Sequence, residues 1–185
     1  MTIGNFTFTE TEIRGVYIID TKRYGDNRGC FMETYKKTDF DRAGLVYDFV
    51  QDNQSSSRRG VLRGLHFQKT HPQAKLVRVL KGEVFDVAVD LRRGSGTYGK
   101  WVGALLSEEN RRQFMIPRGF AHGFVVVSEE AEFAYKCDEL YRPEDEGGVA
   151  WNDPEIGVKW PDVGEIILSA KDKKNPTLAE CRIEL

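Results

Sequence analysis

The sequence predicts an all-β protein, a sandwich or barrel of short strands with a few short helical pieces. Three observations predict it. Short segments rich in β-branched and aromatic residues recur from end to end, turn signals separate them, and 11 Phe and 7 Tyr stand among 18 Gly and only 6 Pro. Aromatic rings fit a pleated surface and glycines serve turns, and evenly spaced short strands read as a closed or two-layered β fold.

The expected strands are Val16–Asp20, Phe31–Tyr35, Tyr47–Asn53, Val61–Phe67, Lys75–Leu80, Val84–Asp90, Trp101–Leu106, Gln113–Ile116, His122–Val127 and Glu132–Cys137. Turns at Gly25-Asp26-Asn27, Lys81-Gly82, Gly94-Ser95-Gly96, Pro117-Arg118-Gly119 and Ser128-Glu129-Glu130 divide them. Thr38 can cap a short helix that runs to Ala43 and stops at Gly44, and Ser169 can cap Ala170–Lys174 before Asn175-Pro176 ends it. Val84–Asp90 alternates most plainly, with Phe85, Val87 and Val89 on one face, expected to be the core side, and Asp86, Ala88 and Asp90 on the other. By the same period Phe133, Tyr135 and Cys137 share a face, so Tyr135 points inwards. No repeat, low-complexity stretch or linker interrupts the chain, and one domain over residues 1–185 is expected.

Composition narrows the function. With 27 Lys+Arg against 29 Asp+Glu, the formal charge is −2, which argues against a sequence-independent nucleic-acid binder. A small anionic ligand stays open, because a few convergent arginines bind one diphosphate. The start, MTIGNFTFTETEIRG, has no basic and apolar leader, and no apolar run is long enough for a membrane helix, so a cytoplasmic protein without membrane contact is expected. Cys30, Cys137 and Cys181 lie far apart and fit free buried thiols in a reducing compartment.

His66, His71 and His122 are the three histidines. Strict alternation sets Arg63 and His66 on opposite faces of one strand; a bulge at Gly64 sets them on the same face. The spacing of the histidines, with Glu83 nearby, lacks the His-x-His pattern that puts metal ligands on one side of a strand. His71, beside Pro72 in a polar loop, is expected to be exposed. Arg28, Arg58, Arg59, Arg63, Lys75 and Arg78 are either solvated or a clamp for phosphate oxygens. Asp172, inside Lys171-Asp172-Lys173-Lys174, reads as surface.

Eight stretches match one family in order: Gly25 to Glu33, Phe49-Val50-Gln51-Asp52-Asn53, Gly60 to Gln68, Lys75-Leu76-Val77-Arg78, Ile116 to Phe124, Tyr135-Lys136-Cys137, Trp151-Asn152-Asp153-Pro154 and Leu168 to Asp172. Together they resemble the dTDP-4-dehydrorhamnose 3,5-epimerases, and the likeness runs from about residue 12 to 178. It implies a cupin-like jelly-roll barrel with no metal or organic cofactor. It also implies a homodimer in which an N-terminal strand of each subunit completes the other's sheet and site. The implied substrate is dTDP-4-dehydro-6-deoxy-D-glucose, inverted at both carbons beside its ketone.

By the same resemblance His66 is the base, Asp172 orients it, Lys75 stabilises the enolate oxygen and Tyr135 returns the proton. Inversion requires acid and base on opposite faces of the sugar. The implied binding residues are Gln51, Asn53, Arg63, His122 and Tyr141 of one subunit with Arg28, Phe31 and Glu33 from the other. Tyr24 and Phe31 offer flat faces to the thymine, and Arg28 and Arg63 offer charge to the diphosphate. Leu140 departs from the second tyrosine common in the family, which keeps a single-site 3- or 5-epimerase as the alternative. A metal-dependent jelly-roll enzyme and a non-catalytic nucleotide-sugar-binding module are the readings from other classes.

Overall fold

The computed structural model describes residues 1–181; residues 182–185 of the expected 1–185 domain lie outside the described residues. The strands are β1 (Thr2–Ile3), β2 (Phe6–Glu10), β3 (Tyr17–Thr21), β4 (Tyr24–Asp26), β5 (Gly29–Phe31), β6 (Gln51–Arg58) and β7 (Leu62–Gln68). They continue with β8 (Lys75–Lys81), β9 (Glu83–Asp90), β10 (Trp101–Ser107), β11 (Gln113–Ile116), β12 (Phe120–Val126), β13 (Glu130–Cys137) and β14 (Glu146–Gly148). One helix, α1 (Lys37–Arg42), and two 3₁₀ turns, Pro143–Asp145 and Asp172–Lys174, complete the elements. Among the described residues, no helix is long and apolar enough to cross a membrane.

Two sheets face each other, in the orders β1-β2-β3-β11-β8-β13-β6 and β10-β9-β12-β7-β14, and the ribbon β4-β5 pairs with neither. The fold is the expected all-β, cupin-like barrel. Val77, Val79, Phe114 and Phe133 of the first sheet meet Val84, Ala88, Val102, Leu106, Phe124 and Val126 of the second in the central core. Towards one end these inward rows turn polar. Val79 and Val77 lead to Lys75, Phe133 to Tyr135, Phe124 to His122 and Val84 to Asp86. The same pleat thus builds an apolar core at one end and a polar pocket at the other.

Several expectations change. The two faces of Val84–Asp90 are the reverse of the expectation: Asp86 and Ala88 follow Val84 into the space between the sheets, whereas Val87 and Val89, expected on the core side, are buried on the outer face under Val149, Ile156 and Leu178 of the C-terminal segment. Phe31–Tyr35 is not a strand; the chain turns back earlier, at residues 27–28, as the ribbon β4-β5. Tyr47–Phe49 is irregular and packs its rings with Tyr35 and Phe40 over the first sheet. β2 is not among the expected strands, although Phe6-Thr7-Phe8-Thr9 alternates and buries both rings against Phe40. Lys36, not Thr38, precedes the first turn of α1, without a side-chain cap, and the helix ends at Gly44 with φ +84°. Cys30 is exposed, whereas Cys137 is buried; all three cysteines are free. Strand β1 pairs with β2, and β2 with β3, within the chain.

Asp90 ties the β9–β10 connection. It is fully buried and accepts hydrogen bonds from Arg92, Ser95 and Thr97 at 2.6–3.0 Å. Burial favours the neutral acid, but these donors outweigh it and hold its pKa down at about 2. A depressed carboxylate contributes stability that is present above its unfolded pKa, near 4, and lost as pH falls through 2. The expected result is a loss of about 2 kcal/mol between pH 4 and pH 2 in urea titrations of the wild type that Asp90→Asn does not share.

Candidate active site

The polar end of the barrel holds a cavity of about 390 Å³. Asn53, Arg63, His66, Lys75, His122, Tyr135, Tyr141 and Asp172, all expected in the site, line it.

His66 comes from β7 and Asp172 from the far end of the chain. Val61 forms a parallel bridge to Ile167, and the Leu62 amide donates to the Ile167 carbonyl at 3.0 Å, which lays the C-terminal segment along β7. Ser169 Oγ then accepts the Asp172 amide at 3.0 Å; the expected helix Ala170–Lys174 is only the 3₁₀ turn Asp172–Lys174, with Lys171 in the capping position and no side-chain cap. Asp172 is 5% exposed, not on the surface, and its Oδ1 lies 2.6 Å from His66 Nε2. Burial raises the Asp172 pKa, but the hydrogen bond and charge of His66 outweigh it and leave the carboxyl below its ordinary range. A carboxylate only accepts, so Nε2 carries the proton and Nδ1 keeps a lone pair.

Arg63 and His66 both face the cavity because β7 carries one extra residue. His66 pairs with His122 and Arg63 with Phe124, so three steps on β7 match two on β12. The bulge sits at Gly64, whose φ is +123°; a Cβ there meets the Gly123 Cα at 2.6 Å and the His122 carbonyl at 2.7 Å. Arg63 is steadied by Nε and Nη2 donating to Ser57 Oγ at 3.1 and 3.0 Å.

Lys75 and Tyr135 face the cavity from the first sheet, opposite the sheet that carries His66. Burial pushes the Lys75 ammonium pKa down, and among the described residues the ammonium has no ion-pair partner within 4.0 Å. Burial raises the Tyr135 pKa, so the phenol keeps its proton at neutral pH.

A second pair lies deeper. His122 Nε2 is 3.0 Å from both oxygens of Asp86, and both residues are buried. Burial pushes the His122 pKa down and the Asp86 pKa up. Asp86 was expected on the face away from the core; its one signal in the sequence is an acid spaced two residues from core positions in an apolar strand. At the rim, Tyr141 donates to Glu146 at 2.5 Å, which pushes its pKa up to about 12, and Lys171 also pairs with Glu146. Glu146 and Lys171 line the cavity but were not expected there, because Glu146 opens the three-residue strand β14, too short to show alternation, and Lys171 lies in a lysine-rich turn without periodicity.

Gln51 supports rather than lines the cavity: its Nε2 donates to Asn53 at 3.0 Å and its Oε1 accepts the Tyr141 amide at 2.9 Å. Tyr24, Arg28, Phe31 and Glu33 lie outside this chain's cavity. The first three sit on the separate ribbon β4-β5, where Arg28 pairs with Asp26 and Phe31 is 66% exposed; Glu33 accepts from Asn5. His71 is only partly exposed, clasped by Asp145. Among the described residues, no three His, Cys, Asp or Glu side chains are grouped to hold a metal.

A family profile described as dTDP-4-dehydrorhamnose 3,5-epimerase matches residues 10–180. A protein of that description from Methanothermobacter thermautotrophicus is 54% identical over 180 residues, 96% of this chain and 97% of its own. The crystal structure of dTDP-6-deoxy-D-glucose-3,5-epimerase RmlC from Legionella pneumophila, in complex with dTDP-4-keto-L-rhamnose, superposes with a TM-score of 0.93 at 49% identity. The match covers 95% of this chain and 94% of that one. ChmJ, a 3'-monoepimerase from Streptomyces bikiniensis in complex with dTDP-quinovose, gives 0.85 at 33% identity over 91% of this chain and 86% of its own. With the profile spanning nearly the whole chain and a relative above half identity, this protein belongs to the dTDP-4-dehydrorhamnose 3,5-epimerase family.

Proposed function

We propose that the protein inverts C3 and C5 of dTDP-4-dehydro-6-deoxy-D-glucose, without metal or organic cofactor, in the route to dTDP-L-rhamnose. The observation that carries the mechanism is that His66 and Tyr135 reach the cavity from opposite sheets.

A C4 ketone acidifies the hydrogens on both neighbouring carbons. His66 Nδ1 takes one of them, and the C–H electron pair delocalises onto the C4 oxygen as an enolate. Asp172 stabilises the imidazolium that forms. Lys75, a half-buried side chain of the cavity lining with no ion-pair partner among the described residues, stabilises the charge on the enolate oxygen, with His122 beside it. Tyr135, protonated at neutral pH, gives its proton to the opposite face of the same carbon; solvent then restores the phenol and takes the proton from the imidazolium. Repeating the step at the second carbon gives the doubly inverted sugar.

Arg63 and Lys171 supply positive charge for the diphosphate. Tyr141, the exposed aromatic ring of the cavity lining, is the face on which the base stacks. The homodimer reading assigns the exchanged segment to the ribbon β4-β5, which would bring Tyr24, Arg28, Phe31 and the following Glu33 to the other subunit's cavity. An exposed two-stranded ribbon that pairs with neither of the larger sheets and carries Phe31 at its end supports that assignment. Residues 1–185 act as one domain, and three free cysteines fit the cytoplasm.

Proton NMR of the 4-keto sugar in D₂O, with protein treated with a chelator, tests the reading. Deuterium entering at C3 and at C5 is the expected result. Exchange at one carbon only supports the single-site alternative that the likeness to ChmJ keeps in view. Binding of thymidine diphosphate with no exchange would leave only a binding module, and exchange lost on chelation would replace Lys75 with a metal.

A further inference from the structure

Residues 138–146 cross the cavity rim as a strap with little regular structure, yet they carry Tyr141 and Glu146. A segment outside the sheets must find partners for its backbone groups elsewhere, and here one side chain supplies several of them. Gln68, on β7 two residues beyond His66 and 3% exposed, donates from Nε2 to the Leu140 carbonyl at 3.2 Å and to the His71 carbonyl at 2.7 Å. Its Oε1 accepts the Arg142 amide at 2.6 Å. The amide orientation is fixed by chemistry, since two carbonyls require the donor end and an N–H requires the acceptor end.

Those bonds bracket Tyr141 on both sides, at Leu140 and Arg142. The Tyr141 amide itself goes to Gln51 Oε1, and Gln73 Nε2 donates to the Glu139 carbonyl at 2.7 Å. On the other side, Asp145 accepts from the Thr70 and His71 amides at 2.8–3.2 Å, so the loop joining β7 to β8 is clasped to the same strap. Gln68 is bonded to that loop and to both neighbours of Tyr141, whereas Asp145 is bonded to the loop and to Arg142 alone of the two. In the sequence it stands just past the expected strand Val61–Phe67, as the last residue of the matched stretch Gly60 to Gln68.

The geometry points to Gln68 as a positioning residue that holds Tyr141 at the mouth of the cavity and thereby sets affinity for the nucleotide part of the ligand, without a part in proton transfer. This rests on the reading that the ligand is a thymidine diphospho-sugar. A ring held in place before the ligand arrives loses less freedom on binding, so loosening its backbone weakens binding and leaves the chemistry at His66 and Tyr135 in place.

The test compares Gln68→Met, Tyr141→Ala and the double variant, using thymidine diphosphate for Kd and the 4-keto sugar for KM and kcat. Gln68→Met is expected to raise Kd and KM about tenfold with kcat within about threefold, Tyr141→Ala to do the same, and the double variant to be no worse than either alone. Backbone hydrogen exchange of Gln68→Met is expected to quicken in residues 139–146 and to stay slow in β9 and β12. Kd within twofold of wild type, or a full additional loss in the double variant, overturns the proposal. So does exchange that quickens evenly across the strands, since Gln68 then serves the whole fold. Wild-type protein that binds thymidine diphosphate yet fails to epimerise would overturn the activity, while the Kd comparison still decides the role of Gln68.

Discussion

His66→Ala is expected to lower turnover by about 10²–10⁴, the range that a positioned general base contributes, while thymidine diphosphate binds within severalfold of wild type. The two effects separate because His66 is assigned to the sugar, with Nε2 taken up by Asp172, whereas Arg63, Lys171 and Tyr141 are the groups assigned to the nucleotide. Asp172→Asn should follow the same pattern. An amide in that place can offer its N–H to Nε2, which reverses the tautomer and puts the proton on Nδ1, where the lone pair is needed. Steady-state kinetics beside calorimetric titration with thymidine diphosphate checks both variants, and a parallel loss of binding and turnover removes His66 as the base.

Tyr135→Phe divides two events that His66→Ala abolishes together. With the base and Lys75 intact, the enolate still forms, and His66 can return a solvent-exchanged proton to the face it came from. Deuterium incorporation at the sugar carbons should therefore persist within about tenfold, while net inversion falls by about 10² or more. The phenyl ring preserves the packing against Phe133, whose centroid lies 6.0 Å away, so the comparison isolates the hydroxyl. Equal loss of exchange and inversion overturns Tyr135 as the acid.

The strands from β7 to β13 were legible because their residues alternate between a buried row and its opposite, a pattern any pleated strand imposes. That same rule placed Tyr135 inwards, beside Phe133. It misjudged Asp86, because alternation says which residues share a face and not which face is which; the Asp86 row looks into the space between the sheets with Val84 and Ala88, and it is the Val87 and Val89 row that lies under the roof of Val149, Ile156 and Leu178. Asp172 was out of reach of residue-level reasoning for another reason. Three lysines around an acid describe a solvated turn, and only the bridge from Val61 to Ile167, more than a hundred positions apart, carries it under His66. The ribbon residues Tyr24, Arg28 and Phe31 have no periodicity and no core to report on; the family resemblance assigned them, and their own chain leaves them exposed.

The single extra residue at Gly64 has a consequence for redesign. A sequence optimised for an ideal strand would straighten β7 and replace that glycine, and by ordinary measures of strand propensity the product would look improved. Without the bulge, the three steps between Arg63 and His66 alternate regularly, and the two then stand back to back, one towards the cavity and the other under the C-terminal roof. Every residue of the site would remain in the chain while the site itself had ceased to exist. Activity here depends on an irregularity of the backbone as much as on any side chain, and efforts to stabilise this barrel should leave that position untouched.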